Sequence, residues 1–290
     1  QLGIGTSMSP QQLVQNVLIG SGITIFNTSY NGSINQIGNF TGGSGTNLGL
    51  NSGVVLSTVY VNGTPSLGSS VSEFASDNTG GGGDNDLLNL ISSGSSCQDA
   101  AILEFDFYPQ SDTIRFRYVF ASEEYPEYVC SEYNDVFGFF LSGPGINGPY
   151  SNNSINIAKI PFTSLPVAIN SINNGSSGSS YSTADCISTS YSYYYVDNEA
   201  NGGTTVVYDG FTKVFTAWSG VQPCQNYHIK IAIGDVGDGI YDSGVFLEAG
   251  SFTASSSVTV VAKTTSPSIT NDSTAVEGCT QTQLTFHRSG

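Results

Sequence analysis

Three closely spaced segments rich in alternating apolar and aromatic side chains constrain the fold of this chain more than any other feature. They occupy residues 102–107, 114–120 and 136–141, and read ILEFDF, IRFRYVF and VFGFFL. A period of two puts alternate side chains on opposite faces of a β-strand, so each segment predicts a core strand. Shorter runs bounded by turn residues predict further strands at 53–57, 191–196, 204–208, 214–217, 227–233 and 244–249.

The remaining composition favours a sheet protein. Only 10% of the 290 residues are charged and 35 are Gly, which disfavours long helices and supplies turns. The 16 Tyr and 16 Phe provide a large core. Short helices are predicted after Ser9-Pro10 and after Asp84-Asn85-Asp86, where polar caps precede apolar residues. We therefore predict an all-β fold, an antiparallel β-sandwich of jelly-roll type with one or two short helices.

The charge balance excludes several kinds of partner. Seven Lys and Arg stand against 23 Asp and Glu, a formal charge of −16, which repels nucleic acids and anionic lipids and favours divalent cations. No apolar run approaches the roughly 18 residues of a membrane helix, so we expect no membrane span. The start at Gln1 predicts an exported, extracellular protein whose signal peptide has been removed.

The five cysteines form no CxxC pair and no Cys/His cluster with zinc-like spacing. Structural disulfides in an oxidising compartment are the interpretation we favour. We predict two disulfides among Cys97, Cys130, Cys186 and Cys224, in any of the three possible pairings, with one cysteine left over.

Two stretches outside the strands are set apart by their polarity. The Ser- and Asn-rich tract 164–190 predicts a surface excursion. A linker composition begins near Ser266, and we place a domain boundary there, with 1–265 as one β-sandwich domain and 266–290 as a linker and the start of a following module.

Carboxylates concentrate in two loops beside the aromatic strands. One loop carries Glu123, Glu124 and Glu127 and ends at Asp135, and the Gly-rich loop 233–244 carries Asp235, Asp238 and Asp242. A donor set made only of oxygens suits a hard cation, and flexible Gly-rich loops suit Ca²⁺ better than Mg²⁺. The missing His and thiolate ligands argue against zinc. We predict a calcium site drawn from Glu123, Glu124, Asp135, Asp235, Asp238 and Asp242.

Other interpretations of the same residues remain open. The acids can be solvated loop residues, and acids on the strands can pair with Arg115 or Arg117, as Glu104 and Asp106 would. A pair of carboxylates is also all that a glycosidase needs. His228 lies within an alternating strand and His287 near the end of the chain, so neither has the context of a catalytic triad.

A second kind of site is suggested by aromatic residues in one stretch of the chain. Aromatic rings commonly stack on the faces of sugars, and Tyr191, Tyr193 and Tyr195 alternate at 191–195. We predict that they contact an extracellular ligand such as a surface polysaccharide. The alternative is that alternate rings belong to the core.

Four motifs give this chain a resemblance to a known family. They are DAAILEFDF at 99–107, YVFASEEYPEY at 118–128, NDVFGFFLSGP at 134–144, and the segment from Gly234-Asp235-Val236 to Leu247-Glu248-Ala249. Together with GVVLST at 53–58 and DGFT at 209–212, they resemble the choice-of-anchor L domain over about residues 10–255.

The resemblance implies a non-catalytic module displayed on a bacterial surface. Such domains occur in exported proteins with varied C-terminal anchors and, in Bacteroidetes, in large type IX secretion substrates, including SprB-like gliding adhesins. The tail 275–286 looks like the start of an Ig-like or Calx-beta-like repeat, which implies that Cys279 pairs elsewhere. The acidic pattern is also similar to that of CUB-like jelly rolls, whose calcium is held by one Glu and two Asp, and this implies Glu124, Asp135 and Asp242.

The function expected is that of a non-catalytic, calcium-binding module in a large secreted cell-surface adhesin, with a role in adhesion and in gliding motility. Its partners would be an extracellular ligand and the following domains of the same polypeptide. The alternatives are a structural cap or spacer in a filamentous surface protein and, less favoured, a carbohydrate-active enzyme.

Overall fold

The computed structural model describes residues 1–70, 79–91, 96–200, 203, 205–254, 257–264 and 282–289. The strands are β1 (Gly3–Gly5), β2 (Ile23–Asn31), β3 (Ile37–Thr41), β4 (Gly53–Ser57), β5 (Cys97–Pro109), β6 (Thr113–Ser122), β7 (Val136–Ser142), β8 (Ile155–Asn156), β9 (Tyr195–Asp197), β10 (Gly210–Thr212), β11 (Phe215–Gly220), β12 (Tyr227–Val236), β13 (Ser243–Glu248), β14 (Ser257–Thr264) and β15 (Thr282–Ser289). The helices are α1 (Pro10–Leu13), continued by a π-helical turn at Val14–Leu18, and α2 (Asn85–Ile91). Single 3-10 turns occupy Ile34–Gln36, Gly43–Gly45, Ser151–Asn153, Thr183–Asp185 and Ser192–Tyr194.

The strands build two antiparallel sheets. The first has eight strands in the order β1-β3-β4-β13-β6-β10-β9, with β11 also pairing with β6. The second has five strands in the order β2-β5-β12-β7-β8. A separate hairpin pairs β14 with β15. The predicted antiparallel β-sandwich with two short helices is confirmed, since the period-two segments become its central strands.

Aromatic residues from both sheets form the core between them. Phe116 and Tyr118 extend from β6 of the first sheet, and Phe105 and Phe139 extend from β5 and β7 of the second. The Tyr118 and Phe139 ring centroids are 5.0 Å apart, and Phe252 stacks on Phe116 at 4.0 Å. Burying each of these rings contributes about 1.5–3 kcal/mol, so alternation along the strands is the main determinant of the sandwich.

Both helices begin where the sequence predicts. Ser9 forms a capping box with Gln12, and Pro10 occupies the first turn of α1, where its missing N–H is not needed. The apolar stripe that follows, Leu13, Val14 and Leu18, is buried in the core between the sheets.

Helix α2 packs on the outer face of the second sheet and is held there by a buried ion pair. Leu87 and Ile91 lie against the outward-facing apolar residues of that sheet. The Lys230 ammonium of β12 contacts the carboxylates of Asp84 at 2.8 Å and Asp86 at 2.6 Å. This contact fixes the first turn of the helix to the sheet.

The prediction that the tract 164–190 is a surface excursion is wrong for residues 167–173, which are buried. Their apolar members, such as Ile169 and Ile172, join the core. Asn170 supplies polar partners that such a loop needs: its amide donates to the carbonyl of Ser131 at 2.7 Å and its backbone N–H donates to the Asn134 side chain at 2.8 Å. The segment thus packs against the loop that carries the predicted acids.

One disulfide is formed among the four cysteines that we expected to make two. Cys130 and Cys186 are bonded, with Cα atoms 4.4 Å apart, whereas Cys97 and Cys224 are free thiols. Cys97 begins β5 and pairs with Val236, and Cys224 bonds to Pro109 at the other end of that strand. Twelve residues of strand at about 3.3 Å each separate them, far beyond the reach of a disulfide. Cys279 lies outside the described residues.

The predicted domain boundary at Ser266 also lies outside the described residues, and the two-domain division stays a prediction. Strand β15 includes Leu284 of this tail.

Candidate metal site

Two acidic loops lie side by side at one end of the sandwich. Ser122 at the end of β6 pairs in register with Ser243 at the start of β13. The loop after β6 and the loop between β12 and β13 therefore leave the first sheet together. The backbone N–H of Glu123 donates to the carbonyl of Asp242 at 3.0 Å, which joins the two loops directly.

Two of the aspartates occupy positions where the strand pattern puts core residues. The core face of β7 carries Phe137, and that of β12 carries Ile233. Two residues further along each strand, the same faces reach Asp135 and Asp235. The antiparallel pairing of β7 with β12 ends at Val136 and Gly234, so the next residues in that register, Asp135 and Asp235, lie side by side. Their burial between the sheets therefore follows from strand geometry.

Glu124 and Asp242 complete what we call the acidic cluster: Glu124, Asp135, Asp235 and Asp242. None of the four residues is more than 2% exposed. The cluster joins both sheets, because Glu124 and Asp242 flank strands of the first sheet, while Asp235 lies on β12 of the second sheet and Asp135 directly precedes β7.

Asp135 is the best connected member of the cluster. One of its carboxylate oxygens accepts from the backbone N–H of Val236 at 2.9 Å, and the other accepts from the Ser243 hydroxyl at 2.7 Å. Asp242 accepts from the Thr58 hydroxyl at 3.2 Å. That hydroxyl in turn accepts from the N–H of Ser243 at 2.9 Å and also lies 3.4 Å from the Ser243 carbonyl oxygen.

Other carboxylate oxygens at this end of the sandwich are buried without a hydrogen-bond partner. They are both side-chain oxygens of Asp235 and one each of Glu123 and Glu124. An unpartnered buried polar atom costs about 1–3 kcal/mol, and more when it is charged. Because several such oxygens lie close together, their carboxyl groups must either be protonated or bind a cation.

The pKa values of these carboxyls are raised, first by burial and then by repulsion among them. The pKa of Glu124 and that of Asp235 lie well above their usual range, and Asp135 is among the charges that raise both. Burial raises the pKa of Asp135 to about 7 and that of Asp242 to about 8. Burial, with Asp209 and Asp242 nearby, raises the pKa of Glu123 to about 10. The charged forms are therefore unfavourable here without an added cation.

No ion pair among the described residues reaches the acidic cluster. The basic partners lie elsewhere: Lys230 binds Asp84 and Asp86, Arg117 binds Glu248, and His228 binds Asp106. The suggested pairing of Arg115 or Arg117 with Asp106 or Glu104 is therefore not formed.

The donor set fits a hard cation, but its atoms do not converge. In the part of the chain that the structure describes, no three His, Cys, Asp or Glu side chains form a group arranged to hold a metal ion. The unpartnered oxygens of Glu124 and Asp235 are nevertheless the donors that calcium prefers. Binding would require these side chains to turn toward a shared point.

The six predicted ligands separate into three groups. Glu124, Asp135, Asp235 and Asp242 form the cluster itself. Glu123 is buried next to it, 4% exposed, and Asp238 is half-buried and accepts from the N–H of Ile240 at 3.2 Å. Sequence reasoning missed Thr58 and Ser243, whose hydroxyls orient the cluster from 184 and 108 residues away. The alternation of side chains along β13 places Ser243 on the core-facing side of the strand, and this pattern could have identified Ser243 from the sequence.

The three predicted ligand-binding tyrosines differ in exposure. Tyr193 is 74% exposed, and the Lys213 ammonium lies 3.5 Å from its ring centroid. Tyr191 and Tyr195 are half-buried, and Tyr195 packs on Tyr125 with centroids 4.9 Å apart. Because a 3-10 turn replaces the expected strand at Ser192–Tyr194, the three rings do not form one flat row.

The fold and the site together define a class: a two-sheet antiparallel sandwich with a buried oxygen-only acidic cluster at one end. The family model of the choice-of-anchor L domain matches residues 3–253, and the chain belongs to this family. This family identifies the chain as a module of a surface-anchored extracellular protein. No curated protein and no solved structure matches the chain. Among the described residues, no helix is both long and apolar enough to cross a membrane.

Proposed function

We propose that this chain is a non-catalytic, calcium-binding module of a large secreted cell-surface adhesin, with a role in adhesion and in gliding motility after type IX secretion. The calcium ion fixes the loop after β6 against the loop between β12 and β13. The observation that carries the proposal is the set of buried carboxylate oxygens without partners on Asp235 and Glu124.

Electrostatics supports a bound cation over a permanently protonated cluster. Four carboxylates within one buried site repel one another when ionised, and a divalent ion converts that repulsion into attraction. An exported protein meets calcium outside the cell, and extracellular modules bind it with Kd of about 10⁻⁴–10⁻³ M. Such an ion stabilises the fold by an amount that grows with the logarithm of the free calcium concentration once that exceeds Kd.

The hydrogen bonds divide the roles within the cluster. Glu124 contributes an oxygen without another partner, Asp235 contributes oxygens that face Thr58 and Asp135, and Asp242 contributes its second oxygen. Asp135 is already held by Val236 and Ser243, but each carboxylate oxygen can accept a second contact. Asp135 therefore both binds the ion and orients the site.

The burial of the acidic cluster distinguishes between a structural ion and an ion that contacts a ligand. A cluster that is at most 2% exposed is closed to a polysaccharide, which argues against a glycosidase pair and against an ion that bridges to a ligand. The ion is structural in this proposal. A structural cap or spacer role is the second candidate, and the same burial supports it.

The proposal is tested by calorimetry on three proteins: the wild type, Asp235→Asn, and the control Glu127→Gln. Glu127 belongs to the same loop but is exposed. We expect calcium to release or absorb heat on titration and to raise the Tm of the wild type relative to chelator. Asp235→Asn should melt higher than the wild type in chelator, because Asn is neutral without having to take up a proton on folding, and should gain less from calcium. Glu127→Gln should match the wild type.

An unchanged wild-type Tm and no binding heat would overturn calcium binding. If Glu127→Gln loses the response as Asp235→Asn does, the ion binds at the loop surface and the buried site is refuted.

A further inference from the structure

The single Trp of the chain lies on the surface. Trp218 is 66% exposed, on β11 at the margin of the first sheet. Among the described strands, β11 pairs only with β6. An exposed Trp on a strand offers a large, rigid ring with an apolar face to a partner.

Trp218 has a charged neighbour across the strand pair. It is directly opposite Arg115 of β6, so their Cβ atoms are about 4.5–5.5 Å apart on one face. Thr216 and Thr113 extend the same outward face. Together the four residues line an open depression of about 320 Å³, a volume suited to a small ligand or one part of a polymer.

The two arginines on this face differ in their partners. Arg117 is neutralised by Glu248, whose carboxylate lies 2.6 Å from its guanidinium. No ion pair to Arg115 occurs among the described residues. Arg115 is exposed, in a protein of net charge −16, and no carboxylate in the described part of the chain forms an ion pair with its guanidinium.

The backbone under this face is fixed. The N–H of Arg115 donates to Thr253 at 3.0 Å, and Thr253 donates back to Arg115 at 3.1 Å. The other edge of the strand is held by β11 through six paired residues, 215–220. The depression is therefore presented by strands that are hydrogen-bonded on both sides of Arg115, which lowers the entropy lost on binding.

We propose that Trp218 and Arg115 form a binding platform for an acidic sugar residue of an extracellular glycan. The indole stacks on the apolar face of the sugar ring, and the guanidinium receives its carboxylate through two parallel hydrogen bonds. Thr113 and Thr216 offer hydroxyls to the sugar hydroxyls. The occupant is a uronic-type sugar because the site combines one aromatic face with one unneutralised planar cation.

We assign the sugar to Trp218 rather than to Tyr193 because one face of the Tyr193 ring is already covered. The Lys213 ammonium already occupies one face of Tyr193 at 3.5 Å from its centroid. The platform also differs in position from the acidic cluster, since Arg115 and Ser122 are seven residues apart on β6, roughly 23 Å. It deepens the adhesin proposal by naming a ligand class, and its test is separate from that of calcium.

Tryptophan fluorescence reports on this site alone, because the chain holds one Trp. The probe is a short oligogalacturonate, and the matched control is the same oligosaccharide with its carboxylates methyl-esterified. We expect the acidic form to shift and quench the emission, and the ester to do so much more weakly.

Variants locate the binding by calorimetry. Arg115→Gln should abolish the preference for the acidic form, and Arg115→Lys should restore it only in part. Trp218→Ala should weaken binding by about tenfold or more, as for an aromatic hot spot. Phe162→Ala, a fully exposed ring elsewhere, should bind like the wild type.

Two results would overturn the platform: no difference between acid and ester, or loss of binding in Tyr193→Ala with full binding in Trp218→Ala. Repeating the titration with Asp235→Asn in chelator separates the two proposals. Binding that persists there supports the platform whether or not calcium binds.

Discussion

Ser243 and Asp135 are joined by a 2.7 Å hydrogen bond between residues 108 positions apart in the chain. The bond links the first residue of β13 in one sheet to the residue before β7 in the other. It is buried, with Asp135 1% exposed and Ser243 fully covered. The acidic end of the sandwich is therefore closed by a polar contact between the sheets.

Ser243→Ala should lower the free energy of unfolding by about 1–3 kcal/mol, because the Asp135 oxygen loses its partner and cannot reach water. Denaturant unfolding with calcium present measures the loss. The matched control is Ser154→Ala, another buried serine, whose hydroxyl has no partner. That change should be neutral or stabilising, and equal losses in both variants would show that the bond to Asp135 carries no special weight.

The metal-free protein should lose stability as the pH rises. The pKa of Asp135 is raised to about 7 and that of Asp242 to about 8 in the folded state, against about 3.9 for an unfolded Asp. The folded state therefore holds more protons, so this contribution is complete below about pH 4 and disappears as the pH passes through 7 to 8. Melting curves in chelator across this range check the sign.

Calcium should reverse that trend, since it competes with the protons for the same carboxylates. The rise in Tm on adding calcium should therefore be larger at the upper end of the pH window than at the lower end. If the protein in chelator becomes more stable as the pH rises, the carboxyl groups of the cluster are already ionised and their charges are balanced by another group.

Lys230→Met should destabilise the protein by about 3–5 kcal/mol, because it leaves Asp84 and Asp86 without their buried cation. Burial alone would raise the pKa of Asp86, but hydrogen bonds from Lys230 and Ser151 outweigh it and lower the pKa. The exposed Lys213, which contacts the Tyr193 ring, is the control. Lys213→Met should cost less than about 0.5–1 kcal/mol, and chemical denaturation of both variants distinguishes a buried clamp from general charge loss.

The free thiols should differ in reactivity toward alkylation of the native protein. Burial raises the pKa of Cys97 to about 11, so its thiolate is scarce at neutral pH, whereas Cys224 is exposed. Peptide mapping after brief treatment with iodoacetamide should find Cys224 modified, Cys97 unmodified, and Cys130 joined to Cys186. Modification of Cys97 at the rate of Cys224 would contradict the raised pKa of Cys97.

Local patterns in the sequence determined the sandwich, its central strands and its two helices. Period-two burial depends on residues two apart, and a capping box such as that of Ser9 depends on residues three apart. Both lie within reach of sequence reasoning. The same holds for the two acidic loops, since their carboxylates and glycines are adjacent in the chain.

Only the tertiary structure decided which of these residues meet. The pairing of Cys130 with Cys186, the burial of 167–173, the bond from Ser243 to Asp135 and the opposition of Trp218 and Arg115 all depend on strand register between distant segments. Register is selected by the sum of many packing contacts across the two sheets, and no local pattern carries that sum. The sequence shows which chemical groups are present, whereas the fold determines which of them come into contact.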